Sequence, residues 1–417
     1  MPEPRDIATR IVRTLRDGGE TAYFAGGCVR DELLGLRPKD YDVATSAVPA
    51  AVRGLFRSVS EVGASFGVML VRIEGVVVEV ATFREEGAYS DSRRPDAVRF
   101  STPEADARRR DFTINALFLD PLRGGDGVID YVGGRADLAA RLIRAVGSPD
   151  DRLREDHLRA LRGVRLAARL GFAIEAGTRA AIAAHASELR GVSRERVGEE
   201  LRKMLAHPAR AAAARDLEAL GLDASALDEP HVESGVPALG ALPEDAGFAA
   251  ALAAWAVDRR IGALAPSAFA AAAGALGPEI ARRWRRSLCL SNEETDALAD
   301  ALGGLSTLAG RWESLTRAEK KRTASSPWFP AASWILGARL PAIAARVAAD
   351  TEDLAREPGG LHPPPLITGD DLEEAGLAPG PVFRRLLDAA YDAQLEHRVR
   401  NRAEALALAV QMASGGA

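Results

Sequence analysis

Asp40 and Asp42 stand two apart in the run KDYDVAT, residues 39–45. If this run is a strand, both side chains leave the same face. Two adjacent carboxylates repel unless a cation lies between them, and hard oxygen ligands suit Mg²⁺. Upstream, Gly26-Gly27 opens the stretch GGCVRDELLGLRP. Glycine has no Cβ and tolerates positive φ, so a backbone built from it can approach a phosphate closely. Read alone, a Gly-Gly pair is a turn and a DxD arises by chance. Their order and spacing point to phosphoryl or nucleotidyl transfer.

Three further stretches add to this pair. Glu79 stands alone among valines in VVVEVATF, where a carboxylate is costly to bury unless paired or metal-bound. It is either a third carboxylate facing Asp40 and Asp42 or a solvent-facing residue of a half-exposed strand. The run Arg108-Arg109-Arg110-Asp111 clusters guanidinium groups beside an expected helix start, suited to triphosphate charge. In REDHLRALRGVRLAAR, residues 154–169, a continuous helix would put Asp156 and Arg159 on one face, with Arg162 and Arg165 further along it. A carboxylate only accepts hydrogen bonds and a guanidinium only donates them. Cytosine and adenine each present an exocyclic amine beside a ring-nitrogen acceptor. An Asp–Arg pair therefore accepts C or A, and refuses G or U by leaving buried polar groups unpaired. Arg162 and Arg165 would neutralise phosphates or stack.

The elements that must hold these groups follow from periodicity and punctuation. Residues 3–18 carry Ile7, Ile11, Val12 and Leu15 at helical spacing. A strand is expected over 21–25, a helix over 29–35, a strand over 39–45 and a helix over 48–56. The runs 66–73 and 76–83 are β-rich and separated by Glu74-Gly75, a two-residue hairpin signal. Residues 84–100 are polar and punctuated by Gly and Pro, a long loop. A helix is expected from Arg108 towards Asp120, then strand–turn units to Gly134. The region 1–145 is thus α+β with a small, mainly antiparallel sheet. From about residue 136 onward no strand is expected. Helices are predicted over 151–170, 177–189, 195–206 and 209–220, with Thr178 and Ser193 as N-caps and Gly171, Gly191 and Gly221 as stops. After a linker at 227–247 they resume over 248–258, 266–276, 279–288, 292–302 and 331–349. A second linker, 352–365, leads to a helix–turn–helix-like tail.

Bulk composition sets the class. A chain of 417 residues, 47% hydrophobic and 27% charged, holds several domains with cores of their own. Two cysteines exclude a disulfide framework or a Cys-built zinc site. The six histidines form no HxxH, HExxH or His-Asp motif, which argues against a His-built metallohydrolase. No membrane-length apolar run and no leader are evident, so a cytoplasmic enzyme is the expectation. A net charge of −5 argues against a general nucleic-acid binder. Arginine is nonetheless dense between 135 and 210, and lysine occurs only at 39, 203, 320 and 321.

The motifs GGCVRD (26–31), DYD (40–42), EVATFR (79–84), RRDFTINAL (109–117), DYVGGRADLAARLIRAVG (130–147), EDHLRALRGVRLAARLGF (155–172) and SRERVGEELRKML (193–205) together resemble the class II tRNA nucleotidyltransferases. These are the CCA-adding branch of the tRNA nucleotidyltransferase/poly(A) polymerase family, in the polymerase β superfamily. The segment ITGDDLEEAGLAPGP (367–381) resembles the family's C-terminal part, while 223–350 matches weakly. The resemblance implies a nucleotidyltransferase head (1–145), a helical neck that reads bases and binds RNA (146–222), a helical body (223–350) and a tRNA-binding tail (351–417). It implies that Asp40 and Asp42 bind Mg²⁺; Glu79, from its place among the valines, is the candidate third catalytic carboxylate. It further implies that Gly27 and Arg30 hold the sugar and triphosphate, and that Arg110 (or Arg109) contacts the nucleotide. Asp156 and Arg159 would read the base, supported by Glu155, with Arg162 and Arg165 close by. CTP and ATP would be the substrates, and the tRNA acceptor arm the partner. A full-length loop at 84–99 implies complete CCA addition, although Ser92 stands where the family leads one to expect glycine. No His-Asp phosphohydrolase domain is seen, so no phosphatase activity is expected. The alternatives are a bacterial poly(A) polymerase, for which the ending ALALAVQMASGGA lacks a basic extension, an A-only adding enzyme, or a non-catalytic RNA-binding relative.

Overall fold

The structure is a computed structural model, described for residues 2–61, 67–86 and 98–414. The loop expected over 84–100, Ser92 included, lies largely outside the described residues. Its two ends, Arg84–Glu86 and Val98–Phe100, form a short antiparallel ribbon. The chain divides into two compact units, Met1–Val232 and Glu233–Ala417.

The first unit begins α1 (Pro4–Asp17), β1 (Ala22–Ala25), α2 (Gly27–Leu33), β2 (Asp42–Thr45), α3 (Pro49–Leu55), β3 (Val59–Glu61), β4 (Val68–Ile73), β5 (Val76–Thr82), β6 (Arg84–Glu86) and β7 (Val98–Phe100). There follow α4 (Pro103–Arg108), β8 (Phe118–Leu119), β9 (Val128–Ile129), α5 (Gly134–Ala139) and β10 (Leu142–Ile143). It ends with α6 (Pro149–Glu155), α7 (Leu158–Leu170), β11 (Ala173–Ile174), α8 (Ala176–Ala184), α9 (Arg194–Leu205), α10 (Arg210–Ala219) and α11 (Leu222–Leu227).

A seven-stranded sheet runs in the order β3-β4-β5-β2-β1-β8-β9. All its described pairings are antiparallel except β2 with β5, which run parallel. Ile7, Ile11 and Leu15 of α1 share one core with Phe24, Val43, Val71, Val78 and Val80 from the strands. The β4–β5 hairpin turns at Glu74 and Gly75, both at positive φ (51° and 85°), the conformation a two-residue turn needs to match strand twist.

Several expected elements differ. Strand β2 starts at Asp42 rather than Lys39, leaving Asp40 in the preceding segment. Helix α2 starts at Gly27, directly on the glycine turn, rather than at Val29. No helix starts at Arg108; α4 ends there, and a 3-10 turn over Thr113–Asn115 leads into β8. Short polar side chains take over the local hydrogen bonding. Asp111 accepts from Phe112 N (2.8 Å) and Asn115 Nδ2 (3.1 Å), and Thr113 Oγ1 donates to Asp137 (2.7 Å). The helix expected over 151–170 breaks at Asp156, whose backbone is extended (φ −157°, ψ 103°). Its Oδ1 accepts from Leu158 N at 3.1 Å, a side-chain alternative to continued helix. Past residue 136 two short strands occur against expectation, β10 and β11, which pair parallel. Glu175, not Thr178, caps α8, accepting from Gly177 N and Thr178 N.

The second unit is helical: α12 (Pro237–Gly240), α13 (Phe248–Arg260), α14 (Pro266–Ser287), α15 (Asn292–Gly310), α16 (Arg317–Ala324), α17 (Phe329–Arg339), α18 (Pro341–Arg356), α19 (Gly369–Glu374), α20 (Pro381–Leu395) and α21 (Arg402–Ser414). The two helices expected over 266–288 are one, running through Pro278. Packing of Phe269, Leu276, Ile280 and Trp284 into the core offsets the cost of about 3 kcal/mol that an internal proline carries. Gly277 lets this helix lie close to α15, since a Cβ there would meet Ala299 O at 3.2 Å. The expected helix over 331–349 is two helices, divided at Leu340-Pro341.

Candidate active site

A cleft of about 1390 Å³ in the first unit is lined by Gly27, Arg30, Asp40, Asp42, Glu79, Arg110, Asp156, Arg159, Arg162 and Arg165, while Arg108 and Glu155 do not line it. One wall is acidic. Tyr41 is buried and stacks edge-on against Phe24 at 5.1 Å, which turns its neighbours Asp40 and Asp42 outwards. The parallel pairing of β2 with β5 sets Asp42 beside Glu79 as direct register partners, so the two side chains leave the sheet on the same face. Enclosure by the cleft, then Glu79 and Asp40, pushes the Asp42 carboxyl up to about 6. Enclosure and Asp40 raise Glu79 as well, against Arg84. Among the described residues no salt bridge joins any of the three to a basic side chain. Repelling carboxylates without a cation partner are the donor set a divalent ion fits, although the three are more loosely gathered than a closed ligand cage.

The glycine turn lies alongside. Gly26 sits at φ 75°, and a Cβ there would come within 3.0 Å of Arg110 Nη1. Arg110 donates to Asp106 Oδ2 (2.9 Å) and to Asn115 O (3.1 Å) and lies over Phe118. Arg109 shares the same buried Asp106, through Oδ1 at 2.8 Å. These two salt bridges hold the Asp106 carboxyl below its usual range despite its burial. Because α4 ends at Arg108, the arginines follow a helix C-terminus, where positive charge is favoured. Arg30 is buried, donating to Asp31 (2.8 Å) and Asn115 Oδ1 (2.5 Å).

The opposite wall comes from α7 and α9. Asp156 is not on a shared helical face with Arg159; it sits at the entrance to α7, its carbonyl accepting from Arg159 N at 3.0 Å. Its Oδ2 accepts from Arg196 of α9 at 2.6 Å. Arg159 donates to Glu155 Oε2 (2.5 Å) and to Arg152 O (2.8 Å), so α6 and α7 together fix its direction. Arg162 reaches Asp111 through Nε (2.9 Å) and Nη2 (2.6 Å), and Arg165 reaches buried Glu200 at 2.5 Å. Sequence reasoning did not single out Arg196, Asp106, Asn115 or Glu200, nor Asp111 as the anchor of Arg162. All but Asp106 lie inside quoted motifs, but their partners are distant in the chain.

Two family models match: residues 22–144 match the "Poly A polymerase head domain", and 171–232 the "Probable RNA and SrmB- binding site of polymerase A". The chain is similar to the CCA-adding enzyme of Geobacillus kaustophilus, 44% identical over 209 residues, 50% of this chain and 51% of that one. It is also similar to the CCA-adding enzyme of Levilactobacillus brevis, 43% identical over 224 residues, 53% and 55% of the two. The matched part thus spans about half the length of these curated relatives. The crystal structure of the Bacillus stearothermophilus CCA-adding enzyme in complex with CTP superposes with a TM-score of 0.74 at 29% identity, covering 100% of this chain and 99% of that one. The Thermotoga maritima CCA-adding enzyme complexed with tRNA shares the fold at a TM-score of 0.66 and 18% identity, covering 99% and 96%.

Proposed function

We propose that this chain is a member of the tRNA nucleotidyltransferase/poly(A) polymerase family and that it adds CCA to the 3′ end of tRNA from CTP and ATP, without a nucleic-acid template. The observation that carries this reading is the single cleft with carboxylates on one wall and an Asp156–Arg159 pair on the other. Asp40 and Asp42, with Glu79 beside them, would hold Mg²⁺, which when bound activates the 3′-hydroxyl and neutralises the triphosphate.

The chain's own residues do the rest. Gly26 and Gly27 leave room for the triphosphate to approach the backbone, and Arg110, aimed by Asp106 at the glycine turn, meets its charge. Arg30 stiffens this corner through Asp31 and Asn115. Asp156 accepts from the exocyclic amine of C or A, and Arg159 donates to the neighbouring ring acceptor. Arg196 and Glu155 aim these two groups, so both are preorganised rather than assembled by the base. Arg162 and Arg165, anchored by Asp111 and Glu200, surround the pair with positive charge.

The division into head (1–145), neck (146–222), body (223–350) and tail (351–417), with neck and tail binding the acceptor arm, belongs to the same proposal. So does action in the cytoplasm; no described helix is long and apolar enough to cross a membrane. The matched model's description, naming poly A polymerase, favours a second reading as a poly(A)-adding or A-only enzyme. One assay separates them: purified protein, Mg²⁺ and tRNA lacking its CCA end, with each labelled nucleotide. C, C, A and then a stop is expected. Long A tails, or A added only to tRNA already ending in CC, overturn the proposal.

A further inference from the structure

Behind the base-reading wall lies a group of side chains the cleft does not use. His157 directly follows Asp156 at the start of α7, His185 follows α8, and Glu188 lies in the 3-10 turn Ala186–Gly191. One ligand atom from each lies within 4.8 Å of the others, a convergence unique among the described residues. We propose that His157, His185 and Glu188 bind a divalent ion of the zinc class, with Asp150 of α6 orienting His185.

The geometry is close to what such an ion requires. The Glu188 carboxylate lies between two imidazoles, 3.1 Å from His157 Nε2 and 3.0 Å from His185 Nδ1. Ligand bonds of about 2.1 Å at tetrahedral angles separate neighbouring donor atoms by roughly 3.4 Å. The donor atoms, all within 4.8 Å of one another, lie around that spacing. Asp150 Oδ1 lies 3.0 Å from His185 Nε2. A proton held there leaves the Nδ1 lone pair free to ligate, the carboxylate–histidine–metal relay. His157 Nδ1 is buried without a protein partner, and ligation through Nε2 places the ring proton on this nitrogen. Glu188 is partly exposed, its side chain 45% accessible, which leaves a fourth position open to water.

Two imidazole nitrogens and one carboxylate suit zinc, cobalt or nickel, whereas Mg²⁺ prefers an all-oxygen shell. The site is thus chemically distinct from the Asp40–Asp42 pair. A bound ion joins the entrance of α7 to the end of α8, and through Asp150 to α6. It stiffens the bend that positions Asp156.

The test uses the full chain, stripped by chelator and titrated with Co²⁺ in excess Mg²⁺. One equivalent is expected, with the visible absorption of four-coordinate nitrogen–oxygen cobalt and a raised melting temperature. His157→Gln and His185→Gln are expected to weaken uptake at least tenfold, Asp150→Asn to weaken it by about tenfold, and Asp42→Asn to leave it unchanged. No uptake by the wild-type chain overturns the site, whatever the fold of the variants. Uptake that survives both histidine substitutions, or that is lost in Asp42→Asn, overturns it equally.

Discussion

Asp111→Asn tests how the arginine-lined wall of the cleft is held. Asp111 is 8% exposed and accepts from Phe112 N, Asn115 Nδ2 and two nitrogens of Arg162. Burial opposes its charge, but Arg162 and Asn115 outweigh that and hold the carboxyl well below the usual range. Removing one member of a buried ion pair costs about 3–5 kcal/mol, because the other charge stays desolvated. The Arg162 side chain is 38% exposed and water can reach it, so the lower end applies: about 3 kcal/mol. In a unit of this size each kcal/mol moves the melting temperature by about 2–4 °C, giving a fall of about 6–12 °C. Calorimetry at pH 7 measures this shift. The pH dependence is a second, independent signature. A carboxylate whose folded pKa is depressed stabilises fully above its unfolded value, about 3.9, and loses that stabilisation as pH falls through the folded one. The gap between wild type and Asp111→Asn should therefore narrow below about pH 4. A loss under about 1 kcal/mol at pH 7, or a gap indifferent to acid, would refute the argument. A double-mutant cycle with Arg162→Gln measures the coupling directly.

Other outcomes follow from the cleft. Asp42→Ala should abolish incorporation of every nucleotide in the tRNA assay, and near-normal turnover would remove the metal assignment. Arg159→Ala should relax base choice more than it slows chemistry; losing hydrogen bonds of about 1.5–3 kcal/mol corresponds to a roughly 10–150-fold loss of discrimination, read from CTP and ATP against UTP and GTP. Gly26→Ala combines a strained φ with a Cβ 3.0 Å from Arg110 Nη1. It should cost about 1–2 kcal/mol in thermal stability and raise the nucleotide KM, and wild-type values for both would contradict the close packing. With the Asp42 carboxyl at about 6 in the metal-free protein, a proton competes with Mg²⁺ in acid. The apparent Mg²⁺ affinity should fall by up to about tenfold per pH unit below 6 and level off above it, whereas a flat profile from pH 5 to 8 would exclude Asp42 as a ligand.

The legible features were local ones. Glu74-Gly75 marks a hairpin because two adjacent residues at positive φ make the turn, whatever surrounds them. Tyr41 is buried and its neighbours Asp40 and Asp42 are exposed, the alternation their spacing predicts, although only Asp42 belongs to the strand. The α1 stripe is buried as its spacing predicts. Errors clustered where short polar residues had partners that spacing does not reveal. The helix expected from Arg108 gave way to side-chain bonding around Asp111, and the helix expected over 151–170 broke where Asp156 capped its own next turn. Two helices are expected over 266–276 and 279–288, yet burial of residues flanking Pro278 carries one helix through it.

Residue types and their order along the chain thus determined the groups on offer: carboxylates at a strand start, a Gly-Gly turn without Cβ atoms, and an Asp and an Arg near one bend. Tertiary structure alone decided which of these groups face one another. The parallel register that sets Asp42 beside Glu79, and the bonds from Arg162 to Asp111 and from Arg196 to Asp156, all join distant segments. So does the meeting of His157 with His185, which no spacing motif announces. Backbone preference acts over a few residues, whereas ion pairing and ligand geometry act through space once the core has packed.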